Sequence, residues 1–345
     1  MKIKNIVLYI AVLLMFGLIG YGYLWYKNTF SPNTRFDAEE AFVHIPTNST
    51  YNDAKMILTA YIDDIESFDK LANQLGYSSQ VFSGRFLLKK DMSNYHIYKA
   101  LRQNIPVRLV INNQENLAQF TDFLSNHLEP DAESFYQAFT HQGFMDEHEF
   151  TAENVFVGFM PDTHEFYWNT TPIEVRNKIV KEYTKFWNQE RSQQAENLGL
   201  SPQEVMILAS VVQKESAKVD ERPKVAGVYL NRLNKGMLLQ ADPTVIYAKK
   251  LTTNDFDQII KRVYFKDLTI DSPYNTYKYL GLPPGPIAMP DISSVNAVLS
   301  PEKHDYIYFC ADPDQPGYHA FARNAQEHNQ NRAKYIAWLE KNNIE

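Results

Sequence analysis

Residues 5–26 carry no charged side chain, and the run IVLYIAVLLMFGLIGYGYLWY within them limits what this chain can fold into. Twenty-two helical residues at 1.5 Å each reach about 33 Å, against a bilayer hydrocarbon core of roughly 30 Å. Lys2 and Lys4 precede the run, so the short N-terminus is expected in the cytoplasm and the rest of the chain outside it. Tyr23, Trp25 and Tyr26 would then lie at the outer interface. A cleaved signal peptide is the rival reading. Against it, the run is too long and ends in bulky aromatics where a cleavage site needs small residues. The polar residues that follow read as a stem.

The chain as a whole is globular in composition, with 44% hydrophobic and 22% charged residues. Its 345 residues are enough for two or three domains. A formal net charge of -7, with no basic stretch standing out to neutralise phosphates, argues against nucleic acid as a partner. Aromatic residues make up 14% of the chain, which suits either sugar-stacking platforms or an aromatic core. Cys310 is the sole cysteine, so no internal disulfide forms, and no Cys/His spacing suggests zinc.

In chain order, residues 41–45 and 84–88 read as strands around helices at 52–61 and 67–75. A helix at 97–102, a strand at 107–111 and a helix at 117–128 follow, then a polar bend at 129–132. Asp162 and Thr163, in VGFMPDTHEFYW, read as a turn or as neighbours of a cleft. Thr171, Pro172 and Glu174 form a helix cap, with Val175, Ile179, Tyr183 and Phe186 on the buried face behind it.

Residues 201–247 carry the chemistry. Ser201 is a natural N-cap, Pro202 suits the first helical position and Glu204 completes a capping box. Val205, Leu208, Ala209 and Val212 follow at helical spacing, so Glu215 falls in the last turn. Asp220 is expected to cap a second helix, with Glu221 in its first turn, an apolar side of Val225, Val228, Tyr229 and Leu233, and Gly236 as its stop. An acid in a last turn meets the negative end of the helix dipole, which raises its pKa, and burial would raise it further. A carboxylic acid still protonated near neutral pH serves as a general acid. The plainer alternative pairs Glu215 with Lys214, Lys218 or Arg222 on a solvated surface.

The series QKES, ERPKVAGVYLNRL, KGMLLQADPTVIY, YNTY, GLPPGPIAMP and YHAF…EHN, running in order from about residue 208 to residue 329, resembles the YceG-like (MltG) family of endolytic murein transglycosylases. The resemblance implies a membrane-anchored lyase that cuts peptidoglycan glycan strands with Glu215 as its catalytic residue. Where the family usually shows Glu-Lys-Glu, this chain has Gln213-Lys214-Glu215. Gln213 is therefore expected to hydrogen-bond substrate or to hold Glu215. Asn231, Gln240, Asp242, Asn275, Thr276, Tyr277, His319, His328 and Asn329 match family motifs and are candidate substrate-binding residues. Each is open to a structural reading as well, Asp242 as the cap of a helix over residues 244–250. His319 and His328 invite a metal, but no third ligand stands at recognisable spacing and HExxH is absent, so no metal or other cofactor is expected.

The expected fold class is α+β. Residues 1–27 form a cytoplasmic tip and transmembrane anchor, 28–40 a stem, 41–105 a small βααβ module resembling LysM, and 106–345 an α+β catalytic domain. The module has two open roles, glycan binding or support. By the resemblance, the activity is cleavage of the MurNAc–GlcNAc β-1,4 bond of nascent strands with 1,6-anhydro-MurNAc ends. That would terminate strand elongation at the outer face of the cell (inner) membrane, with peptidoglycan synthases as neighbours. A muramidase-type hydrolase using Asp242, or a non-catalytic peptidoglycan-binding scaffold, stays open beside it.

Overall fold

The computed structural model describes residues 3–342. Met1 and Lys2 of the expected cytoplasmic tip, and residues 343–345 of the expected catalytic domain, lie outside the described residues. The fold mixes helices with short strands, and the chain divides into two compact units. The first runs to Leu109 and adds His127–Pro130 and Glu165–Thr170; the second holds the rest.

The first unit opens with α1 (Ile3–Phe30). Its span Asn5–Phe30, 26 residues, is long and apolar enough to cross a membrane, with a reach of about 39 Å. The helix continues beyond the expected anchor, and the start of the expected stem is packed into this unit. Thr29 is buried, with Oγ1 donating to the Trp25 carbonyl at 2.8 Å. Asn33 is buried as well. Its Nδ2 donates to Asn94 Oδ1 at 2.6 Å and its Oδ1 accepts from the Asp64 N–H at 2.8 Å.

The βααβ order follows. Strand β1 (Glu40–Ile45) pairs antiparallel with β2 (Gly84–Lys89), with Ile45 opposite Gly84. Between them lie α2 (Tyr51–Leu58), closed by a Thr50–Asp53 capping box, and α3 (Ile65–Gln74), capped by Asp64. Alternate strand residues Val43, Ile45, Phe86 and Leu88 turn inward onto Leu58, Phe68 and Tyr77. Each fully buried side chain of this size contributes about 1.5–3 kcal/mol. Helix α4 (Asn94–Ala100) starts three residues ahead of the expected position, with Ser93 at its N-cap position and Ser93 Oγ 2.9 Å from His96 Nδ1.

Beyond α4 the chain runs through β3 (Val107–Val110), α5 (Leu117–Ser125), α6 (Ala132–Phe139), α7 (Gln142–Glu147) and β4 (Thr163–Phe166). Asp131 caps α6, accepting the Ser134 N–H at 2.7 Å, so the polar bend at 129–132 ends in a helix that the sequence pattern did not foretell. Phe120, Phe135, Phe139, Phe156 and Phe159 form a buried aromatic cluster, with Phe139 and Phe159 stacked at 4.9 Å. Helix α8 (Pro172–Phe186) has the expected Thr171–Glu174 capping box and buries Val175, Ile179, Tyr183 and Phe186.

After α9 (Gln189–Asn197) comes α10 (Pro202–Glu215), the centre of the second unit. Ser201 and Glu204 cap it reciprocally, and every residue from Val205 to Val212 is buried. It packs against α11 (Arg222–Asn234), α12 (Asp242–Thr253) and α13 (Ile292–Leu299). Helix α11 ends in left-handed Gly236, where the Met237 N–H reaches back to the Arg232 carbonyl at 2.9 Å. A hairpin of β5 (Tyr308–Ala311) and β6 (His319–Ala322) and helix α14 (Ala325–Lys341) complete the chain.

Candidate active site

Helix α10 stops at Glu215 because Ser216 turns into extended backbone, φ −130° and ψ 125°. The start of α11 locks that corner. Arg222 Nε donates to the Ser216 carbonyl at 3.0 Å, and Ser216 Oγ donates to Glu221 Oε2 at 2.8 Å. Glu221 is buried and also accepts the His319 N–H at 2.6 Å, with His319 Nδ1 at 2.8 Å. Glu221, not Asp220, occupies the N-cap of α11, and its side chain makes no cap hydrogen bond. The expected cap and first-turn roles of these two acids are therefore corrected. Asp220 instead accepts from Tyr318 Oη at 3.0 Å, because the chain needs Glu221 to tie the corner to β6.

Glu215 takes none of the cationic partners offered by the surface reading. Lys214 pairs with Glu115 at 2.8 Å, Arg222 with Asp291 at 2.8 Å, and the Lys218 ammonium lies 5.0 Å from the Tyr318 ring centroid. Glu215 faces instead a cavity of about 280 Å³ that it shares with Tyr229, Arg232, Gln240, Asp242, Tyr277, Phe309 and His319. Tyr229 Oη donates to Glu215 Oε1 at 2.5 Å, and Oε2 has no protein hydrogen bond among the described residues. Burial pushes the Glu215 carboxyl up to about 7; the Tyr229 hydrogen bond pulls it down, the Asp242 charge pushes it up, and the Arg232 charge pulls it down. The result is a carboxyl that is about half protonated at neutral pH beside an open cleft, able to give a proton and to take one back.

The opposite side of the cleft is built by two motifs that hydrogen-bond each other. Gln240 sits in the left-handed region, φ 50°, and its N–H donates to the Thr276 carbonyl at 3.1 Å. The Ala241 N–H donates to Thr276 Oγ1 at 3.0 Å, and Thr276 Oγ1 lies 2.8 Å from Thr244 Oγ1. That lattice presents Asp242, whose Oδ1 accepts from Tyr277 Oη at 2.6 Å. Ala241 is the N-cap of α12, so Asp242 is the first residue of the helix and makes no capping bond. Its alternative reading as a cap is corrected.

Of the candidate binding residues, Gln240, Asp242, Tyr277 and His319 line the Glu215 cavity. The others lie outside it. Asn275 is buried, donating to the Leu268 and Ile270 carbonyls at 3.0 and 2.8 Å and accepting the Tyr277 N–H at 3.0 Å. Thr276 is buried in the lattice described above, and Asn231 donates to the His304 and Tyr306 carbonyls at 2.8 and 2.9 Å. Side-chain polar groups of all three are engaged by backbone, and none of the three lines the cavity. His328 stacks on Tyr308 at 5.1 Å, with Nδ1 buried and unpartnered, and Asn329 is exposed on α14. Gln213 neither enters the cavity nor touches Glu215. Its Oε1 accepts the Asp291 N–H at 2.5 Å and Ser294 Oγ at 3.3 Å, while Nε2 donates to the Met289 carbonyl at 3.3 Å. Asp162 and Thr163 do not line the cavity either; Thr163 opens β4, and Asp162 Oδ1 accepts its N–H at 2.7 Å.

Three residues of the cavity escaped the sequence reading, Tyr229, Phe309 and Cys310, whereas Arg232 stands beside Asn231 in a stretch that matches a family motif. Tyr229 was placed on an apolar face, where it is buried, but its hydroxyl reaches the acid. Arg232 is a buried guanidinium held by carbonyls, with Nε to Ile307 at 2.6 Å and Nη1 to Leu239 at 2.7 Å, and it has no carboxylate partner among the described residues. Phe309 and Cys310 of β5 supply the third wall. No local spacing signals Tyr229, Phe309 or Cys310.

The YceG-like family model matches residues 43–334, most of the chain and all of this site. The chain belongs to the YceG-like family. It is 39% identical over 178 residues to the endolytic murein transglycosylase of Bacillus subtilis, covering 51% of this chain and 47% of that one. It is 38% identical over 138 residues to the endolytic murein transglycosylase of Streptococcus pneumoniae serotype 2, covering 40% of this chain and 24% of the relative. The chain thus spans about half the length of the first curated relative and about a quarter of the second. The crystal structure of a yceG-like protein from Listeria monocytogenes superposes with a TM-score of 0.57 at 27% identity, covering 85% of this chain and 98% of that one.

Proposed function

We propose that this YceG-like protein is a membrane-anchored endolytic lytic transglycosylase acting on the MurNAc–GlcNAc β-1,4 bond of nascent glycan strands. The observation that carries the reading is Glu215, raised to about 7 at the mouth of a polar cleft in a chain whose relatives are named endolytic murein transglycosylases. Protonated Glu215 gives its proton to the glycosidic oxygen as the C1–O bond breaks, and the sugar's own N-acetyl group stabilises the positive anomeric carbon. The Glu215 carboxylate then takes the proton of the C6 hydroxyl as O6 closes on C1. One carboxyl acts as acid and then base, no water is consumed, and the new end is 1,6-anhydro-MurNAc.

Gln240, Asp242, Tyr277 and His319 are the proposed substrate contacts, with Arg232 as a fixed positive charge on the cleft floor. The proposed division of the chain has an anchor at 1–27, a stem at 28–40, a LysM-like module at 41–105 and a catalytic domain at 106–345. The catalytic domain would work on the outer face of the cell membrane, next to the synthases whose strands it terminates. Tethering supports this reading by holding the acid near newly made strands.

Asp242 favours a second reading, a muramidase-type hydrolase, because its carboxylate shares the cavity with Glu215. Digestion of uncrosslinked glycan strands by the full chain in nanodiscs, read by mass spectrometry, separates the two. Anhydro ends that vanish in Glu215→Gln support the lyase; reducing MurNAc ends would replace it with the hydrolase, and no cleavage at all with the scaffold.

A further inference from the structure

One stretch of the second unit is built unlike the rest of its surface. Between the end of α12 and buried Asp267, the sequence IIKRVYFK (residues 259–266) carries three cations and no acid, in a chain of net charge -7. The composition-level reading passed over it because three cations do not make a long basic run. Ile260 and Val263 are half-buried, and the other three apolar or aromatic residues face solvent. Ile259 is 83% and Phe265 84% exposed, and Tyr264 is exposed as well. Lys261, Arg262 and Lys266 are exposed too, and none forms an ion pair among the described residues.

The loop is not a frayed segment of core. At one end the Asp255 N–H donates to the Lys250 carbonyl at 3.1 Å, and Phe256 packs edge-on against Tyr247 at 5.5 Å. At the other, Asp267 accepts the Tyr264 N–H at 3.0 Å and the Lys249 ammonium at 3.0 Å. Both ends are tied, and Ile259, Tyr264, Phe265 and the three cations between them are exposed.

We propose that residues 259–266 form a bilayer-contact surface that docks the second unit on anionic lipid headgroups. Bulky apolar and aromatic side chains enter the headgroup boundary, while lysine and arginine alongside them meet lipid phosphate. Charge complementarity selects this occupant. An anionic plane repels the body of an acidic protein and attracts an acid-free basic stretch, so approach to such a plane favours this face. A glycan strand would be met by aromatic rings, but it offers no hydrocarbon layer to receive Ile259 and Phe265. The proposal rests on α1 crossing the membrane, since the tether keeps a bilayer always within reach and lets a weak contact act repeatedly.

The test uses the full chain in lipid nanodiscs, on a Cys310→Ser background, with a polarity-sensitive fluorophore on Phe265→Cys. Lipids carrying a shallow quencher report contact. Quenching is expected to be at least about threefold stronger in phosphatidylglycerol-containing discs than in pure phosphatidylcholine, and to fall away in about 1 M salt, where the Debye length is ~3 Å. Joint reversal of Lys261→Glu, Arg262→Glu and Lys266→Glu should abolish it. A label no better quenched than one on exposed Gln142→Cys overturns the proposal, as does equal quenching in neutral discs. Protection that appears only on adding glycan strands overturns it in favour of a substrate contact. A label on Leu13→Cys in α1 keeps the failures apart. Deep quenching there with none at position 265 sinks the docking surface alone; no deep quenching there sinks the anchor and the docking surface with it.

Discussion

Tyr229 Oη lies 2.5 Å from Glu215 Oε1, so a residue in the middle of α11 donates to the carboxyl of the last residue of α10. Donation to the carboxylate favours its charged form, and this bond restrains a carboxyl that burial has already lifted to about 7. In Tyr229→Phe that restraint is gone. The alkaline limb of the pH–rate profile should move up by about one unit, given the worth of a hydrogen bond to a charged group. Near pH 6 the rate should fall by less than about tenfold, since the acid itself remains. A limb that moves down, or loss of activity at every pH in a folded variant, would contradict this role.

The raised carboxyl also has a stability signature that needs no substrate. Below a pH of about 4.5 Glu215 is protonated whether the chain is folded or not; between there and about 7 the unfolded chain ionises first. The unfolded state therefore binds fewer protons in that window, and stability drains away as pH rises through it. Glu215→Gln escapes the loss. It should match the parent near pH 4 and exceed it by about 1–3 kcal/mol near pH 8, measured by denaturant unfolding. The same difference at both pH values would mean the carboxyl is not lifted.

Asp242 contributes to that lift through its charge, so Asp242→Asn should lower the alkaline limb of activity. The amide oxygen can still accept from Tyr277, which keeps the wall in place. Under the lyase reading the variant still produces anhydro ends, slowed by less than about a hundredfold. Complete loss of cleavage with the fold intact would speak for a second working carboxylate.

Gln213→Glu restores the pair of acids usual for the family, and here it should gain nothing. Nε2 donates to the Met289 carbonyl and Oε1 holds the Asp291 N–H, so a carboxylate would lose the donor and face a carbonyl. The expected cost is about 1–2 kcal/mol in thermal or denaturant unfolding. A gain in glycan cleavage above about tenfold, the equivalent of ~1.4 kcal/mol in barrier, would show that Gln213 does reach the chemistry.

What the sequence disclosed here was local. The Ser201–Glu204 and Thr171–Glu174 capping boxes are each written within four residues, and both stand where the pattern put them. Glu215 was legible because a motif surrounds it. Tyr229 was not, because an aromatic residue on an apolar helix face looks the same whether or not its hydroxyl finds a carboxylate. Asn275 and Thr276 failed in the opposite direction. Amides and hydroxyls suit sugars and backbone alike, and only the packed chain shows that Leu268, Ile270 and Ala241 had already taken theirs. Asp220 and Glu221 are adjacent acids, and nothing local says which of them will meet His319 from nearly a hundred residues away.

Helix α11 bears on both faces of the cleft at once. Tyr229 holds the acid, while Asn231 and Arg232 grip the carbonyls of His304, Tyr306 and Ile307 that lead into the third wall at β5. A side chain at Gly227 would strike the Glu302 carbonyl, so the helix seats directly against that same segment. Acid and wall thus hang from a common beam. A shift of α11 would therefore displace the hydrogen-bond partner of Glu215 and the β5 wall in the same direction.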